Sequence, residues 1–253
     1  MNEYIKFPNL PQNKIKKVLV DYRLSNDSIK ELNNAKIEVC FSKKIDCLYD
    51  AVCGHPDMQI HHLGGNRFVC AQEAYDYYLD MLIGADIIMG EKPLKERYPD
   101  DIYYNAASIG NYIICKADST EEKILRQYND EYIININQGY AKCNIAVIGK
   151  NALITSDKGI YTKALDKGLD ALLIKSGFIE LKGLSYGFIG GASGMIAPDI
   201  LAVNGNIDTH PDCKNMKAFC RNYGIYIMSL NRGKLCDVGF SSGIMWASGG
   251  SMS

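Results

Sequence analysis

The side chains that could do chemistry fall in five short segments of the 253-residue chain. His55-Pro56-Asp57-Met58-Gln59-Ile60-His61-His62 brings together a carboxylate and three imidazoles. Asn105 and Ser108 lie in a second segment, Tyr140 and Cys143 in a third, Gly190 and Gly191 in a fourth, and Asp237, Ser241 and Ser242 in a fifth. These types suit one chemistry. A cysteine beside an imidazole ionises and attacks a trigonal carbon, while a carboxylate orients the imidazole and glycine amides stabilise the intermediate.

Such residues act together only if the fold gathers them, and a repeated unit in the sequence supplies the means. The unit is a short strand, a Gly/Asn turn, a second strand, a helix and a closing strand. One copy reads as strands 104–109 and 112–115, a helix over 119–128 and a strand at 132–136; a second as 143–147, 152–155, a helix from about 158 and a strand at 171–174. A third opens at 186–191, returns at 200–203 and closes at 225–228 after a helix near Cys213. Residues 55–62, 67–70, 73–82 and 85–89 form a fourth copy. At the N-terminus a return strand (17–21), a helix (26–33) and a closing strand (36–40) lack only an opening strand, which residues 237–244 can supply. Repetition at about 40 to 50 residues marks a solenoid or a ring of blades. Sharing the first blade between the two termini closes the ring and removes an exposed sheet edge. The opening strands then line a central channel, where the five segments meet. The expected catalytic set is Cys143, Asp57 and His61 or His62, with His55, Asn105, Tyr140, Gly190, Gly191, Asp237 and Ser241 binding substrate. Strand alternation puts His61 and His62 on opposite faces, so the sequence leaves open which of them faces the channel.

Each feature also has a plainer explanation. Cys143 on a strand packs well as a small buried hydrophobe. Pro56 can fix a bend in which Asp57 accepts backbone donors. A second His-Pro-Asp, at His210-Pro211-Asp212, precedes a helix and reads as capping chemistry. The glycines of 187–194 lack the Gly-Lys-Ser/Thr ending of a phosphate loop, and read instead as letting backbone approach a ligand or a neighbouring strand. Cys236 is a second candidate nucleophile, with an incidental thiol as its plainer reading. His61 or His62 with Cys143 and Asp57 would be mixed metal ligands, but no C-x-x-C or H-x-x-x-H spacing is present, so neither metal nor cofactor is expected.

Composition excludes several classes. A net charge of -1 and the lack of a dense Lys/Arg run argue against nucleic acid. No apolar run reaches the roughly 18 residues that span a bilayer, and residues 1–17 are too polar for a signal peptide, so a cytoplasmic protein without membrane association is expected. Nine cysteines, an odd number set mostly in apolar strands and helices, read as reduced thiols.

Five strand-strand-helix-strand units in a ring resemble the pentein fold, the five-bladed α/β-propeller of the guanidino-group-modifying enzymes. That superfamily includes arginine deiminases, amidinotransferases, dimethylarginine dimethylaminohydrolases and a non-catalytic ribosome anti-association factor. The architecture covers nearly the whole chain. The sequence match centres on residues 55–62, which look like the Pro-Asp-x-x-Phe-x-x-Asp region opening the second blade, with Asp57 on its first aspartate. His55 to Met58, Gly139 to Cys143 and Gly187 to Gly191 also resemble segments of a bacterial branch of the fold. The departures are as informative. Ser241 and Ser242 stand where the resemblance implies a nucleophilic cysteine, and Tyr140 stands near the implied histidine. The expectation is a single α/β domain over residues 1–253, a pentein-like propeller of ββαβ units whose first blade is closed by the C-terminal strand. Its expected function is cysteine-dependent hydrolysis or transfer at a guanidino, amidine or related C–N group of a small metabolite. The alternative is a silent pentein that binds a metabolite or a protein partner.

Overall fold

The computed structural model describes residues 3–247, with backbone alone for residue 3 and residues 241–247. In chain order the elements are β1 (Glu3–Tyr4), β2 (Ile15–Val20), α1 (Asn26–Asn34), β3 (Glu38–Phe41), β4 (Ile60–Gly64), β5 (Arg67–Cys70), α2 (Tyr75–Met81), β6 (Asp86–Met89), β7 (Ala107–Ile109), β8 (Tyr112–Cys115), α3 (Glu122–Leu125) and β9 (Ile133–Asn135). They continue with α4 (Ala141–Asn144), β10 (Ile145–Gly149), β11 (Ala152–Thr155), α5 (Lys158–Asp166), β12 (Asp170–Leu173), β13 (Ser193–Ala197), β14 (Ile200–Val203), α6 (Cys213–Asn222), β15 (Tyr226–Ser229) and β16 (Ser241–Ala247).

These strands make five small sheets: β4-β5-β6, β7-β8-β9, β10-β11-β12, β13-β14-β15 and β1-β16-β2-β3. In each of the first four, an antiparallel hairpin is followed through a helix by a parallel strand. The fifth reaches the same pattern from two ends of the chain: β16 pairs antiparallel with β2, and β2 pairs in parallel with β3. The C-terminal segment thus supplies the strand that the N-terminal unit lacks. A further strand, β1, pairs with the other side of β16 and was not expected.

The middle strands explain why the units fold. Val18-Leu19-Val20, Phe68-Val69-Cys70, Ile113-Ile114-Cys115, Leu153-Ile154 and Leu201-Ala202-Val203 are buried throughout, as continuous apolar runs are when a sheet is covered on both faces. The longer helices cover them with residues four apart: Ser28 and Leu32 on α1, Ile160 and Ala164 on α5, Met216 and Cys220 on α6. That spacing places both residues of each pair on one helix face. Ser25 and Asp157 cap α1 and α5, their side chains accepting the Ser28 and Ile160 N–H groups at 3.3 and 2.8 Å.

The opening strands begin later than the sequence suggests. Residues 56–58 form a 3-10 turn before β4, residues 104–106 precede β7, and Cys143 lies on the helical turn α4 before β10. The strand expected at 186–191 is a loop, and β13 begins at Ser193. Its glycines explain the shift: Gly190 and Gly191 have no side chains to pack in a sheet and are held against neighbouring backbone, as described next.

Candidate functional site

A short polar lead-in before each opening strand carries the chemistry. Asp57, Asn105, Cys143, Gly190, Gly191 and Asp237 all lie two to four residues ahead of β4, β7, β10, β13 or β16. The lead-ins bind one another in sequence order. Asn105 donates to Met58 Sδ at 3.2 Å and accepts the Lys142 N–H at 2.8 Å. The Gly191 N–H donates to the Cys143 carbonyl at 2.9 Å, and the Phe240 N–H donates to the Gly191 carbonyl at 2.8 Å. A Cβ on Gly190 would stand 2.2 Å from the Lys142 carbonyl, and one on Gly191 would stand 1.9 Å from Asp237 Oδ1, so no side chain fits at either. Gly239 completes the circuit: at φ 59° its Cβ would stand 2.7 Å from the His55 ring.

Cys143 sits at the centre. Its Sγ lies 3.1 Å from Asp57 Oδ2 and 3.1 Å from Asn105 Nδ2. Donor atoms of His55, Asp57 and Cys143 all lie within 4.8 Å of one another. His55 Nε2 is 3.8 Å from Asp237 Oδ1 and 3.9 Å from Asp21 Oδ2. Asp237 is aimed by the Phe188 N–H, which donates to Oδ2 at 2.9 Å, and by the Gly239 N–H, which donates to Oδ1 at 3.2 Å. Asp21 is held by Arg23, whose Nε donates at 2.8 Å and whose Nη2 makes a second, short contact. All five of these cluster residues are buried, from 0% exposure for Asp21 to 3% for Asp57.

Electrostatics follow from this packing. Burial pushes the Cys143 thiol well above its usual range, and the carboxylates of Asp57 and Asp237 push it the same way. Burial also raises Asp237, against the pull of His55 and the Phe188 N–H. Neither ring nitrogen of His55 nor Asp57 Oδ1 has a hydrogen-bond partner among the described residues. Buried polar atoms left in that state are rare in folded proteins.

The other expected residues are placed as follows. His61 Nε2 meets Ser108 Oγ at 3.2 Å, and that hydroxyl also meets Tyr128 OH at 2.8 Å. Burial, helped by His62, lowers His61 to about 3, which makes it a neutral imidazole. It shares with Asp57, Lys142 and His62 a cavity of about 20 Å3, room for roughly one water. The His62 ring stacks on Phe68 at 4.5 Å, with Nε2 on the Gly65 carbonyl at 2.8 Å. The histidine grouped with the cysteine is therefore His55. The 3-10 turn at Pro56 carries His55 and Asp57 toward Cys143 before the strand alternation that governs His61 and His62 begins. Tyr140 donates to Asp101 Oδ2 at 2.6 Å and receives Tyr49 OH at 3.0 Å, and burial raises its phenol. Ser241 pairs through its backbone with Leu19, and its side chain lies outside the described residues. Cys236 is half-buried, with its thiol raised to about 11 by burial and by Asp237.

Two site residues went unnoticed in the sequence. Lys142 is buried beside Cys143 with Nζ 3.4 Å from the Gly190 carbonyl; an ammonium next to a candidate nucleophile was its available signal. Asp21 follows β2, and its one cue is Arg23 two residues on.

The fold is that of the pentein-type guanidino-group-modifying enzymes, and three solved structures show it. DDAH from Pseudomonas aeruginosa, solved with citrulline, is 8% identical, with a TM-score of 0.56 over 92% of this chain and 100% of that one. An amidinotransferase of the saxitoxin pathway of Microseira wollei is 12% identical, with a TM-score of 0.54 over 89% and 91%. Agmatine deiminase of C. jejuni is 10% identical, with a TM-score of 0.54 over 90% of each chain. Identities this low establish shared fold and nothing finer. In sequence the chain matches, over residues 19–241, the family described as "Family of unknown function (DUF6873)", and it belongs to that family. No curated protein matches it. Among the described residues no helix is long and apolar enough to cross a membrane.

Proposed function

We propose that this protein is a single pentein-like domain, its five units arranged as the blades of an α/β-propeller, that performs cysteine-dependent chemistry on a small guanidinium or amidinium compound. The pairing of β16 with β2 and the linked lead-ins support the closed arrangement. One observation carries the function: Cys143 Sγ lies 3.1 Å from Asp57 Oδ2 within a buried group that also holds Asp21, Asp237 and His55. Among the described residues Asp21 is paired with Arg23 and Lys142 lines the cavity beside Asp57, and a group of three carboxylates favours a further cation. A planar amidinium can donate its N–H groups to carboxylates while its trigonal carbon faces the sulfur. Its charge also offsets the field that keeps the thiol protonated.

In this reading Cys143 loses its proton to His55, and its sulfur bonds to the amidine carbon. The C–N bond then breaks, with His55 returning a proton to the departing amine or ammonia. Water, or a second amine, attacks the S–C carbon and gives a proton to His55; the C–S bond then breaks and the sulfur takes up that proton, restoring the thiol and making the reaction hydrolysis or transfer.

A second reading rests on the burial of Cys143, 2% exposed beside a one-water cavity. A sealed thiol suits a silent pentein that binds a ligand or a protein. A panel of small guanidines and amidines, assayed for released ammonia or amine, separates the two. Turnover abolished by Cys143→Ala and kept by Cys236→Ala supports the enzyme. Binding without turnover supports the silent protein.

A further inference from the structure

We propose that His55, Asp57 and Cys143 form a binding site for one thiophilic divalent cation of the zinc or cobalt class. Three observations carry it. The donors are a nitrogen, an oxygen and a sulfur that approach one another within 4.8 Å. Cys143 Sγ and Asp57 Oδ2 are 3.1 Å apart, about 0.4 Å less than the ~3.5 Å between a sulfur and an oxygen on a tetrahedral ion with bonds of about 2.3 and 2.0 Å, so a small outward shift of the two admits the ion. Both ring nitrogens of His55 and Asp57 Oδ1 are buried without hydrogen bonds among the described residues; an ion would engage one ring nitrogen of His55 and the Asp57 carboxylate, leaving the other ring nitrogen as an N–H.

The surroundings fit the same role. Asp237 and Asp21 face His55 Nε2 at 3.8 and 3.9 Å, the placement of carboxylates that orient a ligating imidazole. Asp237 is fixed by two backbone N–H groups and Asp21 by Arg23, so neither must reorganise when an ion arrives. On binding, the Cys143 S–H bond breaks, its proton passes to the buffer and an S–metal bond forms. The three protein ligands leave a fourth tetrahedral position for water or a small donor. The site goes beyond the amidine reading and stands or falls without it, because its test needs no substrate.

The experiment is a Co2+ titration of reduced, metal-stripped full-length protein, followed by optical absorption. One equivalent should bring in the visible bands of a tetrahedral ion and a near-ultraviolet thiolate-to-cobalt charge-transfer band, and Zn2+ should abolish both. Cys143→Ser should remove the charge-transfer band. His55→Gln should weaken binding about tenfold or more. Cys47→Ser, which removes an exposed thiol, should change nothing. Circular dichroism and thermal unfolding establish that each variant is folded; if Cys143→Ser does not fold, prior alkylation of Cys143 in wild-type protein takes its place. The absence of a one-equivalent band in wild-type protein, or a band that survives the loss of the Cys143 thiol, overturns the site.

Discussion

His55-Pro56-Asp57 and His210-Pro211-Asp212 are the same tripeptide, and each leads into a turn of helix. The second is satisfied by backbone groups. His210 Nε2 meets the Lys175 carbonyl at 3.2 Å, its Nδ1 accepts the Asp212 N–H at 3.1 Å, and Asp212 Oδ2 accepts the Lys175 N–H at 2.7 Å. The first satisfies almost nothing locally. Its imidazole makes no hydrogen bond among the described residues, and its aspartate faces Cys143 from 86 residues away. A buried polar group whose partners are nearby backbone stabilises the fold. One aimed at side chains from distant segments, with bonds left unmade, is a group that a ligand can complete.

The strongest way to break this contrast is to remove the distant support. Truncation after Leu235 deletes β16, the partner of β1 and β2, together with Asp237 and Gly239. The unfolding midpoint should fall by more than about 10 °C, or the cooperative transition should be lost, as a deficit of several kcal/mol implies for a chain of this size. An unchanged midpoint would show that the C-terminal segment does not hold the first tripeptide in place.

A smaller effect separates the two aspartates. Asp212→Asn weakens a charge-assisted bond to the Lys175 N–H and should cost about 1 kcal/mol in chemical denaturation. Asp57→Asn removes a carboxylate that lacks a partner on one oxygen and opposes Asp237. Ligand-free protein carrying it should be at least as stable as wild type, the pattern expected where stability is given up for function. Equal losses at both positions would make the first tripeptide structural as well.

The effect that appears only on acidification is the pH dependence beside the first tripeptide. His61 is lowered from 6.5 to about 3 by burial, so between those values the unfolded chain takes up a proton that the folded protein refuses. Stability is fully present above pH 6.5 and declines as pH falls, with a slope of up to about 1.4 kcal/mol per pH unit from this group. His61→Gln should flatten the decline measured by denaturation at stepped pH; an unaltered slope would assign it to other groups.

Much of the fold was legible because the middle strands are continuous apolar runs and the helices keep one buried face. The positions of the opening strands were not. Each is preceded by a polar lead-in whose conformation is set by contacts with the next unit, as when Gly191 is pinned between Cys143 and Phe240, and no local pattern encodes such a contact. For the same reason the grouping of Asp57, Asn105, Cys143 and Asp237 could be read from their places in the repeat, while the choice of histidine could not. That choice depended on the turn at Pro56. Asp21 was hidden because an aspartate after a strand looks like any turn residue.

The central claim is that the first tripeptide, with Cys143, binds a planar cation while the second only holds the fold. Calorimetric titration of small guanidinium and amidinium compounds into Cys143→Ala protein, alone and combined with Asp57→Asn or Asp212→Asn, tests it without interference from turnover. We predict that binding is retained in Cys143→Ala, weakened about tenfold or more by adding Asp57→Asn, in line with loss of a charged hydrogen bond, and unchanged by adding Asp212→Asn. Equal affinity in all three proteins, or no binding to wild-type protein across the panel, would contradict it.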